Sequence, residues 1–385
     1  MNDFEFYNPV RILFGRDQIG KIPEFIPVSA NIMLLYGGGS IFRNGVYDKV
    51  KESLKGFRMT EFGGIEPNPA YETCMLAVER IKAEKIDYLI AAGGGSVIDG
   101  VKFIAAAALY DNGDPWKILS ENDPVKASLP FGAILTLPAT GTEMNKNSVI
   151  SRRSTVEKLA FSSPSSFPQF SVLTPEAAGT LPREQVANGI VDAFVHVIEQ
   201  YLTYPVNAPI QDRFAEAILI TLTEEGPKAY ADPEEYESMA NLMWSATMAL
   251  NGLISCGVPG DWSVHSIGHE LTALHGIDHA RTLAIVLPGL WKALKKEKKR
   301  KLLQYGERVW KITSGGDDER VEATIRRTEE FFRSLGINTR LGEYGIGTGT
   351  IDEIVSRFGK RKWLALGDRG LTTPAVTRQA LEFQK

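Results

Sequence analysis

The chain is poor in the residues that bind metals or form cross-links. Its 385 residues include two cysteines and five histidines. Cys74 and Cys256 are too few for a disulfide framework, and neither has a CxxC partner, so thiolate metal binding is not expected. Long apolar runs are also missing. Stretches such as Phe103 to Tyr110 fall far short of the roughly 20 residues a membrane-spanning helix needs. The opening MNDFEFY carries acids where a signal peptide would carry a basic and then an apolar segment. The expectation is a soluble cytoplasmic protein. An excess of one charge is absent too, the formal net charge being −4. The one basic run, Lys292 to Lys301 (KALKKEKKRK), follows an apolar helical pattern and lacks interleaved aromatics. It reads as a solvated helix face and not as a nucleic-acid patch.

The few histidines are not scattered. All five lie between positions 196 and 279, and four of them are His265, His269, His275 and His279. Upstream, NGIVDAFVH places Asp192 four residues before His196 in a segment with helical spacing. A carboxylate and an imidazole at i and i+4 share one helix face. One oxygen ligand with two or three neutral imidazoles suits Zn²⁺ or Fe²⁺. Spacing alone does not choose among His265, His269, His275 and His279. His269-Glu270 begins like the zinc-protease helix HExxH, but Ala273 stands where the second histidine would be, which excludes that class.

Two halves of the chain follow different patterns. Residues 31–36 (NIMLLY), 87–92 (DYLIAA) and 131–137 (FGAILTL) read as buried strands, and residues 44–55 and 70–84 between them have helical spacing. Strands alternating with helices predict a parallel sheet covered on both faces. Beyond residue 182 the strand signals vanish, and residues 185–201, 210–223, 233–253 and 320–335 all have helical periodicity. The turn-rich LTPEAAGTLP ending at Pro182 marks the seam. The expected architecture is an α/β domain over 1–180 and an all-helical domain over 181–385.

Two GGGS segments follow predicted strands. They are Gly37, Gly38, Gly39 and Ser40, and Gly93, Gly94, Gly95 and Ser96, the second opening directly into a helix. A glycine turn lets backbone approach a pyrophosphate, and exposed N–H groups at a helix start attract its charge. Neither matches GxGxxG or the phosphate loop of nucleotide triphosphatases. Together, in this setting, they point to a nucleotide. Thr136 to Glu143 (TLPATGTE) closes the third strand with three threonines and a glycine and is a further candidate for a cofactor groove. A nucleotide in one half and a metal in the other suggest a ligand cleft between domains.

These segments resemble the iron-containing (group III) alcohol dehydrogenases, in particular their butanol dehydrogenase and NADPH-dependent aldehyde reductase branch. The similarity runs over essentially the whole chain. It is carried by GGIEPNP (63–69), GGGSVID (93–99), residues 136–145 and the long segment 259–279. The resemblance implies a Rossmann-like dinucleotide-binding domain joined to an all-α metal-binding domain, a homodimer, and a metal held by Asp192, His196, His265 and His279. It places His269 near the nicotinamide, as the candidate for proton delivery, and His275 close to the metal shell. Trp262, three residues before a ligand, is expected to shape the substrate pocket with His275. The implied phosphate contacts are Gly94, Gly95 and Ser96, with Asp99 beside them. Other implied cofactor positions are Asn68, Thr136, Leu137, Thr140 and Lys158.

The implied reaction is reversible hydride transfer between a nicotinamide cofactor and short- to medium-chain aldehydes or alcohols. The cofactor is expected to be NADP(H) in preference to NAD(H). An NAD site usually offers a carboxylate to the ribose hydroxyls, whereas here Gly37, Gly38, Gly39 and Ser40 follow the strand and no acid comes before Asp48. The competing readings are a lyase of the dehydroquinate synthase type and a glycerol dehydrogenase. The first needs a dense set of basic and polar groups, but residues 259–279 are mostly small or apolar apart from their histidines. The second lacks the long match across 259–279.

Overall fold

The computed structural model describes residues 1–385. The strands are β1 (Arg11–Phe14), β2 (Asn31–Tyr36), β3 (Arg58–Phe62), β4 (Tyr88–Gly93), β5 (Phe131–Leu135), β6 (Asn147–Arg152), β7 (Glu157–Ser162) and β8 (Phe170–Leu173). The α-helices of eight or more residues are α1 (Val46–Ser53), α2 (Tyr71–Glu84), α3 (Gly95–Ala108), α4 (Arg183–Tyr201), α5 (Pro209–Ala231), α6 (Tyr236–Ala249), α7 (Ser263–His275), α8 (His279–Ala293), α9 (Lys295–Arg308), α10 (Asp317–Ser334), α11 (Gly349–Lys360) and α12 (Pro374–Glu382). None of them is long and apolar enough to cross a membrane.

The chain forms two compact units. One comprises residues 7–182 and 231–251, so α6 groups with the sheet although it lies in the helical half of the sequence. The other comprises residues 1–6, 183–230 and 252–385.

In the first unit six parallel strands run in the order β1-β8-β5-β4-β2-β3. β4 and β5 are buried along their whole length, which is why they read as unbroken apolar runs instead of alternating ones. Ile32, Leu34, Ile90, Ala92, Ile134, Phe170 and Val172 fill one side of the sheet. After β2 the chain goes outward to β3 and then returns to the far side of β2 as β4, so the strand order reverses between β2 and β4. Ligands of open α/β sheets bind at the carboxyl ends of strands at such a point. The two glycine segments leave β2 and β4 there, with Tyr36 paired to Ala92 in register. β6 and β7 form a separate antiparallel hairpin that carries Lys158.

The second unit is largely helical, as expected. α4 is buried from Val186 to Tyr201 on all sides, the pattern of a helix in the middle of a core. The basic run 292–301 departs from the solvated face read in the sequence. Lys298 and Lys301 are buried. Lys298 reaches Asp261 at 2.7 Å and the carbonyl of Leu202 at 2.8 Å, and Lys301 reaches Asp212 at 2.7 Å. Buried ammonium groups need such partners, and both acids lie far away in sequence.

Candidate metal centre and cofactor loops

Three helices build the histidine cluster. α4 supplies Asp192 and His196 from one face. α7 supplies His265, and the first residue of α8 is His279. Asp192 Oδ1 lies 3.9 Å from His196 Nδ1, 3.9 Å from His265 Nε2 and 4.0 Å from His279 Nε2. The donor atoms of Asp192, His265 and His279 all lie within 4.8 Å of one another. The His196 ring stacks on that of His265 with centroids 4.6 Å apart and planes 24° apart. These separations are too long for hydrogen bonds. Those among Asp192, His265 and His279 suit donors that share one ion, whose bonds to nitrogen and oxygen are about 2.0–2.2 Å, and His196 stands beside this group, 3.9 Å from Asp192. Burial pushes His196 down to about 4 against the opposing pull of Asp192, so its imidazole is neutral at pH 7. A neutral imidazole is the form that binds metal. The residues therefore fit a divalent ion.

Several features hold this geometry. The α7 and α8 backbones approach closely at Gly268, where a Cβ would lie 2.8 Å from Thr282 Oγ1 and 3.0 Å from Leu283 Cδ2. That approach carries His265 toward His279. Asp278, the N-cap of α8, accepts a 2.8 Å hydrogen bond from Asn188 of α4 and so fixes the residue before His279. Trp262, the N-cap of α7, has φ 60°, a left-handed conformation that costs about 1–3 kcal/mol for a bulky residue and is common at functional sites. Its ring lies 5.5 Å from that of His265 and 6.3 Å from that of His196. The His269 ring lies 4.8 Å from His279 and 6.3 Å from His265. His275 stands apart. It is exposed at the end of α7, with Nε2 3.0 Å from Thr350 Oγ1.

One residue at this site escaped the sequence reading. Glu199 is buried on α4, one turn beyond His196. Its carboxylate accepts the backbone N–H groups of Val264 at 2.7 Å and His265 at 3.2 Å, and it contacts Nδ1 of the His265 ring. Burial and the nearby Asp261 push its carboxyl well up, opposed by those N–H groups and by Lys298. The signal was present in the sequence, since 192, 196 and 199 share one face of a helix.

The expected cofactor residues gather at the carboxyl ends of β2, β4 and β5. Gly94 is the N-cap of α3. A Cβ on Gly95 would lie 2.5 Å from Thr140 Oγ1, and one on Gly94 would lie 3.1 Å from Leu137 Cβ, so the two loops are in contact through bare backbone. Thr136 N–H donates to the Gly93 carbonyl at 3.0 Å. Asn68, itself at φ 55°, donates its N–H to Ser96 Oγ at 3.3 Å, and Lys158 donates to Asn68 Oδ1 at 2.8 Å. A Cβ on Gly37 would reach Val97 Cγ2 at 3.3 Å, while one on Gly38 would meet nothing within 4 Å. Gly39 has φ +90°, and Ser40 opens a single helical turn. Asp99 points inward and accepts from Thr142 Oγ1 at 2.5 Å and Val149 N–H at 3.0 Å. Burial raises its carboxyl, with Lys102 opposing. Lys102, which no motif singled out, is fully buried. It donates to Thr142, to the Asn145 side chain and carbonyl, and to the Asn147 carbonyl at 2.7–3.0 Å, pinning α3 to the segment after β5. Burial pulls its ammonium down to about 7.

Comparison with known proteins identifies the family. The sequence profile of iron-containing alcohol dehydrogenases matches residues 9–175, and that of the C-terminal part of the Fe-containing alcohol dehydrogenase family matches residues 186–365. The chain is 53% identical over 384 residues to the NADPH-dependent aldehyde reductase YqhD of Escherichia coli (strain K12), covering 99% of each chain. It is 41% identical over 362 residues to a probable NADH-dependent butanol dehydrogenase of Bacillus subtilis (strain 168), covering 93% of each. The crystal structure of E. coli YqhD superposes with a TM-score of 0.98 at 52% identity over 100% of this chain and 99% of that one. That of NADH-dependent butanol dehydrogenase A from Thermotoga maritima superposes with a TM-score of 0.95 at 36% identity over 100% and 99%. The chain belongs to the iron-containing alcohol dehydrogenase family.

Proposed function

We propose that the protein is a metal-dependent aldehyde reductase that interconverts short- to medium-chain aldehydes and alcohols with NADP(H). The observation that carries this reading is the set of three imidazoles around Asp192 Oδ1, each at 3.9–4.0 Å. It occurs in a chain 53% identical to a protein named as an NADPH-dependent aldehyde reductase. Residues 1–180 act as the dinucleotide-binding domain, residues 181–385 as the metal-binding domain, and the working form is a homodimer.

Asp192, His196, His265 and His279 would hold an Fe²⁺ or Zn²⁺ ion, which supplies Lewis acidity to the substrate oxygen. The backbone at Gly94, Gly95 and Ser96, at the start of α3, would bind the pyrophosphate. Thr136, Leu137, Thr140, Asn68 and Lys158 would hold the cofactor beside it, with Asp99 behind the loop. His269 holds the proton exchanged with the substrate oxygen, through water or a ribose hydroxyl. Trp262 lines the substrate pocket. A place there for His275 rests on the family resemblance alone. NADP(H) is preferred because Gly37, Gly38, Gly39 and Ser40 present small residues and N–H groups to a 2′-phosphate. Gly38 has open space around it, and Arg43 is exposed nearby.

The test is oxidation of NADPH and of NADH by the metal-loaded protein with butanal, followed at the nicotinamide absorbance band. The reading expects turnover, with higher kcat/KM for NADPH. Absence of cofactor oxidation by fully metallated protein with butanal and related aldehydes rules the activity out. A higher efficiency with NADH overturns the cofactor preference.

A further inference from the structure

We infer that Glu199 is the positioning residue of the metal centre, setting the ring orientation and the proton position of His265. This rests on the reading of His265 as a metal ligand. The start of α7 explains why a distant acid is needed there. Trp262, the N-cap, is left-handed and makes no side-chain cap. The first N–H groups of a helix must find other partners. Asp261 accepts that of Ser263 at 3.1 Å, and Glu199 accepts those of Val264 and His265. One carboxylate from α4 thus fixes the backbone of the ligand residue.

The same carboxylate fixes its ring. Glu199 Oε2 contacts His265 Nδ1, the ring atom turned away from Asp192, while Nε2 faces Asp192 Oδ1 at 3.9 Å. Glu199 accepts from both backbone N–H groups; with Glu199 accepting at the ring as well, Nδ1 carries the proton. Nε2 then offers its lone pair toward Asp192 and His279. A carboxylate behind a ligand imidazole fixes its tautomer and raises its basicity.

Other charged groups lie close to Glu199. A small cavity is lined by Glu199, Asp261 and Lys298 together with Leu287, Leu290 and Trp291. Lys298 pairs with Asp261 at 2.7 Å and stands 4.0 Å from Asp368, so its buried positive charge serves a group of acids beneath the site. In such a low-dielectric setting the Glu199–His265 contact gains strength.

The experiment measures Co²⁺ affinity by competition with a chromophoric chelator, and the absorption spectrum of the Co²⁺-loaded protein. Glu199→Gln should bind Co²⁺ about 10–100-fold more weakly and with an altered spectrum. The control is Glu270→Gln. Glu270 is equally buried on α7 and holds Arg357 and Arg361 instead of a histidine. It should lose stability but keep wild-type affinity and spectrum. Wild-type affinity in Glu199→Gln, or an equal loss in Glu270→Gln, overturns the inference. His265→Ala separates the two readings, because undiminished binding there refutes the metal site itself. A second measurement needs no variant to fold. In Zn²⁺-loaded protein labelled with ¹⁵N-histidine, where only five residues contribute, His265 should carry its proton on Nδ1. A proton on Nε2 overturns the assignment.

Discussion

The histidine cluster and the glycine loops are built from opposite materials. The cluster is made of side chains: Asp192, His196, His265 and His279 come from three helices, and Glu199 and Asn188 hold the helix starts that present them. The loops are made of backbone. Gly95 lies against Thr140 with no room for a Cβ, Gly94 lies tightly against Leu137, and the strand order sets their position. A side-chain site fails when a donor is removed. A backbone site fails when an atom is added. That difference sorts the expected consequences of perturbation.

The largest effect should come from emptying the cluster. Chelation should lower aldehyde reduction by about three orders of magnitude or more, since Lewis-acid assistance is worth several kcal/mol, and added Fe²⁺ or Zn²⁺ should restore it. Activity that survives complete chelation would break the distinction at its root.

Next is the pH response of the metal-free protein. Burial holds His196 near 4, below the usual histidine value of 6.5. As pH falls, the unfolded chain takes up this proton first. The apo-protein should therefore lose up to about 3 kcal/mol of stability between pH 6.5 and 4. Denaturant titrations at pH 7 and pH 4.5 should show the loss, and His196→Leu should flatten it. An unchanged slope in that variant would mean that His196 is not held neutral by burial.

Adding one carbon to the loops should do less, and only to the cofactor. Gly95→Ala forces a Cβ to 2.5 Å from Thr140 Oγ1, an overpacking that costs about 1–3 kcal/mol. KM for NADPH should rise about tenfold or more by that cost, while metal content stays at the wild-type level. Loss of metal in Gly95→Ala would erase the contrast between the two regions. The smallest effect belongs to Gly38, which has free space around it. Gly38→Asp should lower kcat/KM for NADPH about tenfold relative to NADH by repelling a 2′-phosphate, and equal losses with both cofactors would refute that role.

The two regions were also legible to different degrees. The loops could be read because their signals are local: a buried apolar strand, three glycines and a helix start lie within a dozen residues. β2 and β4 stand where the apolar runs predicted. In the cluster, the i,i+4 pair of Asp192 and His196 was visible, but the choice of His279 over His275 was not. A left-handed Gly276 ends α7, so His275 finishes one helix and His279 begins the next. Lys298 and Lys301 look like their exposed neighbours because Asp261 and Asp212, which explain their burial, are remote in sequence. The resemblance to a known family supplied the ligand set. Glu199 was not singled out, although its spacing places it on the face already marked by Asp192 and His196.

The most direct test of the metal centre is elemental analysis of the purified wild-type protein beside His279→Ala, both folded by circular dichroism. The wild type should hold about one Fe²⁺ or Zn²⁺ per chain, as a single site built from four protein donors requires, and His279→Ala should hold almost none. Full metal occupancy in His279→Ala would contradict the account.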